Sequence, residues 1–172
     1  MTRVVDFRRT NLFSPNRIER CGNNIGKSVY PKLYVIENLV RIILHSILTA
    51  QLGSGWWQIA VNQTVQGKAT SFRARYLARP WHTNPGDHDI YYVDLADLVE
   101  ITRTNSHILS PVIVDINNWV AQIDSIRFPR NVTAHMNFPN TTDRKRIDLI
   151  HNDLKALVAS LQQNSLIIFQ IP

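Results

Sequence analysis

Apolar residues recur at helical spacing through most of this chain. Leu33, Ile36, Val40, Ile43, Ile47 and Leu48 fall three and four apart, the interval that stacks side chains on one face of an α-helix. Leu39, Ile42 and Leu44 widen that face until the helix is apolar most of the way round, which predicts a central, buried element. Tyr30-Pro31 opens it, since proline early in a helix gives up an N–H that has no partner there. Gly53-Ser54-Gly55 ends it. A second helix is expected from Trp56-Trp57 to about Leu77, with Val61, Val65, Phe72 and Tyr76 on its apolar side and Lys68, Arg73 and Arg75 on its polar side. Asp94 is a good cap for a short helix through Leu95, Leu98, Val99 and Ile101 that ends near His107. Ser110-Pro111 is expected to start the next, with Val112, Ile113, Ile116, Trp119, Val120, Ile123 and Ile126 in register. Pro129 must stop or restart it, and a short helix then runs to Phe138-Pro139. Asn140 to Asp143 caps a last amphipathic helix through Ile147, Ile150, Leu154, Leu157, Val158 and Leu161.

This pattern predicts an all-α bundle of four to five helices over residues 30–172. Residues 1–29 show no sustained period and contain Pro15 and Gly22-Asn23-Asn24. They read as an irregular N-terminal tail with room for one short helix. Arg79 to Asp89 reads as a loop, Tyr91-Tyr92-Val93 as an extended stretch, and Leu166 to Ile171 as either a short strand or a tail packed on the bundle.

Composition agrees with a packed domain: 172 residues, 44% hydrophobic and 19% charged. The single cysteine, Cys21, leaves no intrachain disulfide framework. The first residues, Thr2-Arg3-Val4-Val5-Asp6, lack a signal-peptide apolar core, and Leu33 to Ala50 is interrupted by Glu37, Asn38, Arg41 and His45. A cytoplasmic protein with no membrane span is therefore expected.

The net charge of +6 is unevenly spread. Residues 53–80 carry Lys68, Arg73, Arg75 and Arg79 with no acid, and residues 125–146 carry five basic groups, Arg127 and Arg130 among them, against Asp143 alone. Residues 81–124 hold seven acids against Arg103. A phosphate-bearing partner, nucleic acid or nucleotide, fits such basic clusters, with Lys68, Arg73, Arg75 and Arg127 as candidate contacts.

Two stretches carry candidate chemistry. On the central helix Asn38, Arg41 and His45 share one stripe, and Glu37 stands four before Arg41, within pairing reach. That stripe is either a solvated face with one ion pair or a polar wall facing a site. The second stretch is Phe128-Pro129-Arg130-Asn131-Val132-Thr133-Ala134-His135. Histidine moves its proton near neutral pH, and arginine holds phosphate with a planar, permanently charged fork. If Pro129 starts a helix, Asn131 and His135 share a face, with Arg130 about 100° round from Asn131.

Several look-alikes carry less. Gly22-Asn23-Asn24-Ile25-Gly26-Lys27-Ser28 has three residues between its glycines, where a phosphate-binding loop needs four, and no strand precedes it. Gly53-Ser54-Gly55 lacks the strand of a nucleophile elbow. His82, Asp87, His88 and Asp89 are metal-ligand types without regular spacing, so neither a metal site nor a cofactor is expected. The Asn-x-Thr triplets at Asn62, Asn131 and Asn140 read as chance matches without a secretory signal. Trp56 and Trp57 read as core anchors, with base stacking as the other option.

In order, the Tyr-Pro-x-Leu-Tyr-x-x-Glu-Asn-x-x-Arg helix (Tyr30 to Arg41), the Trp-Trp helix start, Asp-Leu-x-Asp-Leu (Asp94 to Leu98) and Arg-Asn-x-x-x-His (Arg130 to His135) resemble the HEPN superfamily, closest to its compact bacterial branch. The resemblance spans roughly residues 30 to 160. It implies a usually dimeric helical bundle and, for many members, metal-independent RNase activity in toxin–antitoxin, CRISPR or phage-defence systems. By that resemblance Arg130, Asn131 and His135 are the catalytic set, with Glu37, Asn38 and Arg41 as the supporting polar wall. The implied partners are RNA (tRNA or mRNA), a second copy of the chain, and an antitoxin or regulatory protein. The alternatives are a non-catalytic nucleotide- or RNA-binding or regulatory module, and a purely structural arrangement with Arg130 paired to Glu37 and His135 hydrogen-bonded within the bundle.

Overall fold

A computed structural model of the chain describes residues 15–166, and it is all-α, with no strand among the described residues. Helix α1 (Pro15–Asn24) runs through a π-helical turn (Ile25–Val29) into α2 (Tyr30–Leu52). Then follow α3 (Trp56–Ala60), α4 (Gln63–Leu77), a 3-10 turn (Asp89–Tyr92), α5 (Leu95–Thr104), α6 (Ser106–Leu109), α7 (Ile116–Ser125), α8 (Arg127–Ala134) and α9 (Thr141–Gln163).

Helix α2 is the axis, as its pattern predicts. Pro31 lies in its first turn. Its seven buried apolar residues, from Leu33 to Leu48, meet α9, which contributes Ile147, Ile150, Leu154, Val158 and Leu161. Helices α5, α6 and α7 close the same core around Leu98, Leu109, Ile116 and Ile123. Each fully buried Leu or Ile contributes about 1.5–3 kcal/mol of transfer free energy. Gly53 stops α2 at φ 80, a left-handed conformation that a Cβ disfavours. The stretch Ile18–Leu52 is long and apolar enough to cross a bilayer by length and composition. Its apolar window is 50% buried inside the bundle, so packing already accounts for half of it.

Several boundaries differ from the sequence expectation. The short helix allowed for in residues 1–29 is α1, and it continues directly into α2; residues 1–14 lie outside the described residues. The expected Trp56–Leu77 helix breaks at Val61, whose backbone is extended, and Asn62 recaps it by accepting from the Val65 N–H. Only Val65 and Ala69 of α4 are buried. Phe72 and Tyr76 are 47% and 40% exposed, because α4 packs chiefly on the short 3-10 turn rather than on a full helix. Tyr91-Tyr92 is helical rather than extended.

Asp94 caps α5 in a reciprocal capping box with Asp97. That helix ends at Thr104, and α6 follows as a separate turn. Ser110-Pro111 does not start the next helix. Asp115 does, at φ 54, with its carboxylate accepting from the Asn118 N–H. The break before Pro129 comes at Ile126, so Pro129 is the third residue of α8, where no intrahelical N–H is needed. Asn140 caps α9 as expected. The alternatives for the Leu166–Ile171 stretch fall almost wholly outside the described residues.

Candidate functional site

Two side chains of α2, Glu37 and Arg41, meet a third, Arg130, from a distant part of the chain. Glu37 takes Arg41 from its own helix, with Arg41 Nη2 donating to Oε1 at 2.6 Å. It takes Arg130 from α8, with Nε donating to Oε2 at 3.3 Å. Arg41 is buried, and each of its three nitrogens has an acceptor. Nε and Nη2 donate to the carbonyls of Ile90 (3.2 Å) and Val93 (3.0 Å), and Nη1 donates to Asn38 Oδ1 (3.3 Å). A buried guanidinium needs such a full set of acceptors. Arg41 therefore fastens the 3-10 turn to α2. Arg130 is freer, 27% exposed, and its Nη1 also reaches Asn131 Oδ1 at 3.4 Å.

These groups lie at the junction of two open lobes of about 530 and 560 Å³, within the size range of small-ligand sites. Glu37, Arg41, Pro85, Tyr91 and Arg130 border both lobes. Tyr30, Tyr34 and Asn38 extend the first along α2, and Thr133, Ala134 and Met136 wall it from α8. Lys68, Phe72 and Tyr76 of α4 extend the second, facing Asp94 and Asp97. Tyr91 lines both lobes. Its ring covers Gly86 so closely that a Cβ built there would overlap ring atoms Cδ2, Cε2 and Cγ. Burial raises the Tyr91 phenol pKa, so the hydroxyl stays protonated.

Helix α8 splits the Arg-Asn-x-x-x-His stretch between two faces. Pro129 and Thr133 are buried, and Arg130 points with Thr133 and Ala134 into the groove. Phe128, Asn131, Val132 and His135 are exposed and do not line the groove, although Asn131 Oδ1 still accepts from Arg130. Asn131 and His135 do share a face, linked by the His135 N–H to Asn131 carbonyl bond (3.0 Å). His135 caps the helix, and its ring has no hydrogen-bond partner among the described residues. Met136 follows at φ 58. Its N–H bonds to the Thr133 carbonyl and that of Asn137 to the Val132 carbonyl, which is a Schellman ending.

The remaining candidates are largely engaged elsewhere. Lys68 pairs with Asp97 at 2.7 Å, a hydrogen bond and attraction that raise its pKa. Arg73 pairs with Asp89 at 2.9 Å and lies over the Tyr92 ring. Arg75 covers the Phe72 ring at 5.1 Å, and Arg127 pairs with Asp124 at 3.4 Å. The acidic segment thus folds back on the basic one, and the phosphate-attracting field is smaller than the linear charge pattern predicts. His45 leaves the polar stripe for an aromatic cluster. Its Nδ1 accepts from Trp56 Nε1 at 3.3 Å, and His88 lies at 4.8 Å. Trp56 and Trp57 are core residues, 0% and 4% exposed.

The groove aromatics Tyr34, Tyr91, Phe72 and Tyr76 were not singled out as site residues from sequence. Tyr30, Tyr34, Asn38 and Arg41 do follow one stripe of α2, which was the available signal. No family model, curated protein or solved structure matches the chain significantly.

Proposed function

We propose that the chain is a metal-independent endoribonuclease of HEPN type, cytoplasmic and dimeric, serving a defence or toxin–antitoxin system. The observation that carries this reading is the part-exposed Arg130 guanidinium in an open groove, five residues from an exposed histidine ring. RNA brings its own nucleophile. The 2′-oxygen attacks phosphorus and loses its proton, the P–O5′ bond breaks, and the 5′-oxygen takes up a proton. The products are a 2′,3′-cyclic phosphate and a 5′-hydroxyl. Arg130 stabilises the charge gathering on the phosphate. His135 moves a proton, a contribution worth about 100- to 10,000-fold. Asn131 orients the phosphate or the imidazole.

Within one bundle Arg130 and His135 face different ways, and the reaction benefits from both an acid and a base. A two-fold pair of chains that sets the two Arg130/His135 pairs together at one seam supplies both. The exposed apolar Phe128 and Val132 beside His135 suit burial in that contact. The test is the chemistry of the ends: RNA cut in EDTA carries cyclic-phosphate termini, and a strand with 2′-deoxyribose at the cut site survives.

A second reading is a binding module that holds RNA or a nucleotide without cutting it. The Glu37–Arg130 ion pair favours it, because the arginine already has a partner. RNA that binds and stays intact would establish it.

A further inference from the structure

We propose that the groove holds a single unpaired dinucleotide step, with one phosphodiester at Arg130 and one base in each lobe. This deepens the nuclease reading and rests on it for the identity of the ligand as RNA. The two lobes meet at Arg130 and Glu37, and each carries exposed aromatic rings beyond that junction. On the α2 side are Tyr30 and Tyr34, 59% and 61% exposed and one helical turn apart. On the α4 side are Phe72 and Tyr76. Tyr76 leans on Tyr92 with ring centroids 5.9 Å apart, and Arg75 covers Phe72, so both rings are held in place. Exposed aromatic rings beside a phosphate contact are the usual platform for unpaired bases.

Charge fixes how many phosphates are read. At the junction two guanidiniums and one carboxylate leave one net positive charge, which matches one phosphodiester. A terminal phosphate carries about −1.5 to −2 at neutral pH and is matched less well. In the α4 lobe Asp97 already neutralises Lys68, and Asp94 adds a further carboxylate. That lobe has no positive charge to spare, so it takes a base and leaves the next phosphate in solvent. The groove therefore binds by stacking about a single charge contact. A base-paired duplex offers no free base faces and is rejected.

The test uses the full chain and a labelled 2′-O-methyl hexanucleotide, which binds but cannot be cut, read by fluorescence anisotropy. Tyr34→Ala and Phe72→Ala are each expected to weaken binding about 5- to 150-fold, and Tyr34→Trp to restore it. The same strand paired in a duplex should bind at least tenfold more weakly. The slope of log K against log salt should be about −0.7, one phosphate's worth for a single strand, and clearly shallower than the roughly −1.4 that two would give. Unchanged affinity in both alanine variants, equal binding of the duplex, or a steeper slope would overturn the proposal. Tight, aromatic-dependent binding without any RNA cleavage would leave it standing while removing the nuclease. Cleavage that ignores Tyr34 and Phe72 would do the reverse.

Discussion

The Glu37 carboxylate receives Arg130 at 3.3 Å across 93 residues of sequence while holding Arg41 at 2.6 Å. One acid therefore joins a buried arginine to a part-exposed one. The two arginines differ in burial and in partners, so removing them has different consequences.

Arg41→Ala is expected to destabilise the fold strongly, by about 3–5 kcal/mol, since it breaks a buried pair and strands the Ile90 and Val93 carbonyls. Arg130→Ala, at a part-exposed ion pair, should cost within about 1 kcal/mol. Urea unfolding of both variants checks this. Equal losses would mean that Arg130 is structural too.

The histidine cluster gives stability a pH dependence. Burial and the neighbouring His45 lower the His88 pKa to about 4, with Arg73 also lowering it and Asp89 opposing. Burial lowers that of His45 as well. The unfolded chain, with histidine near 6.5, binds more protons than the folded one between about pH 4 and 6.5. Stability is then fully present above about 6.5 and falls as pH drops towards 4. His88 Nδ1 accepts the Ile90 N–H, and an asparagine Oδ1 can take that place. His88→Asn should therefore flatten the slope of Tm against pH across this window. A slope unchanged in the variant would assign the effect to other groups.

Met136 closes α8 in a left-handed conformation at φ 58, which costs a non-glycine residue about 1 kcal/mol. Its side chain is 82% exposed, so little packing is lost with it. Met136→Gly is expected to raise stability by about 0.5–1 kcal/mol, measured by urea titration. A loss of stability would show that the side chain is packed more tightly than its exposure implies.

Much of this was legible in the sequence because the signals are local. The period of α2, the Asp94 and Asn140 caps and the Gly53 stop all act within a turn of themselves. Glu37 with Arg41 could be paired from their spacing alone. What escaped depends on distant contacts. Asp115, not Ser110-Pro111, starts α7, because an aspartate can take the left-handed cap conformation there. Phe72 and Tyr76 satisfy an amphipathic pattern, yet both stay exposed because α4 packs on a short 3-10 turn. The Arg130–Glu37 pair was legible only as the structural alternative, and the hydrogen-bonded His135 expected with it is instead exposed. That Arg130 and His135 face apart follows from α8 beginning at Arg127 and from the side it buries. The charge pattern misled most, since Asp89 and Asp97 fold onto Arg73 and Lys68.

The most direct measurement is cleavage of labelled single-stranded RNA and tRNA in EDTA by the wild type, Arg130→Ala and His135→Ala. The account predicts cutting by the wild type with 2′,3′-cyclic-phosphate ends, and a loss of at least a hundredfold in each variant with the fold intact. Intact RNA after prolonged incubation with the wild type, or cleavage that persists in both variants, would contradict it.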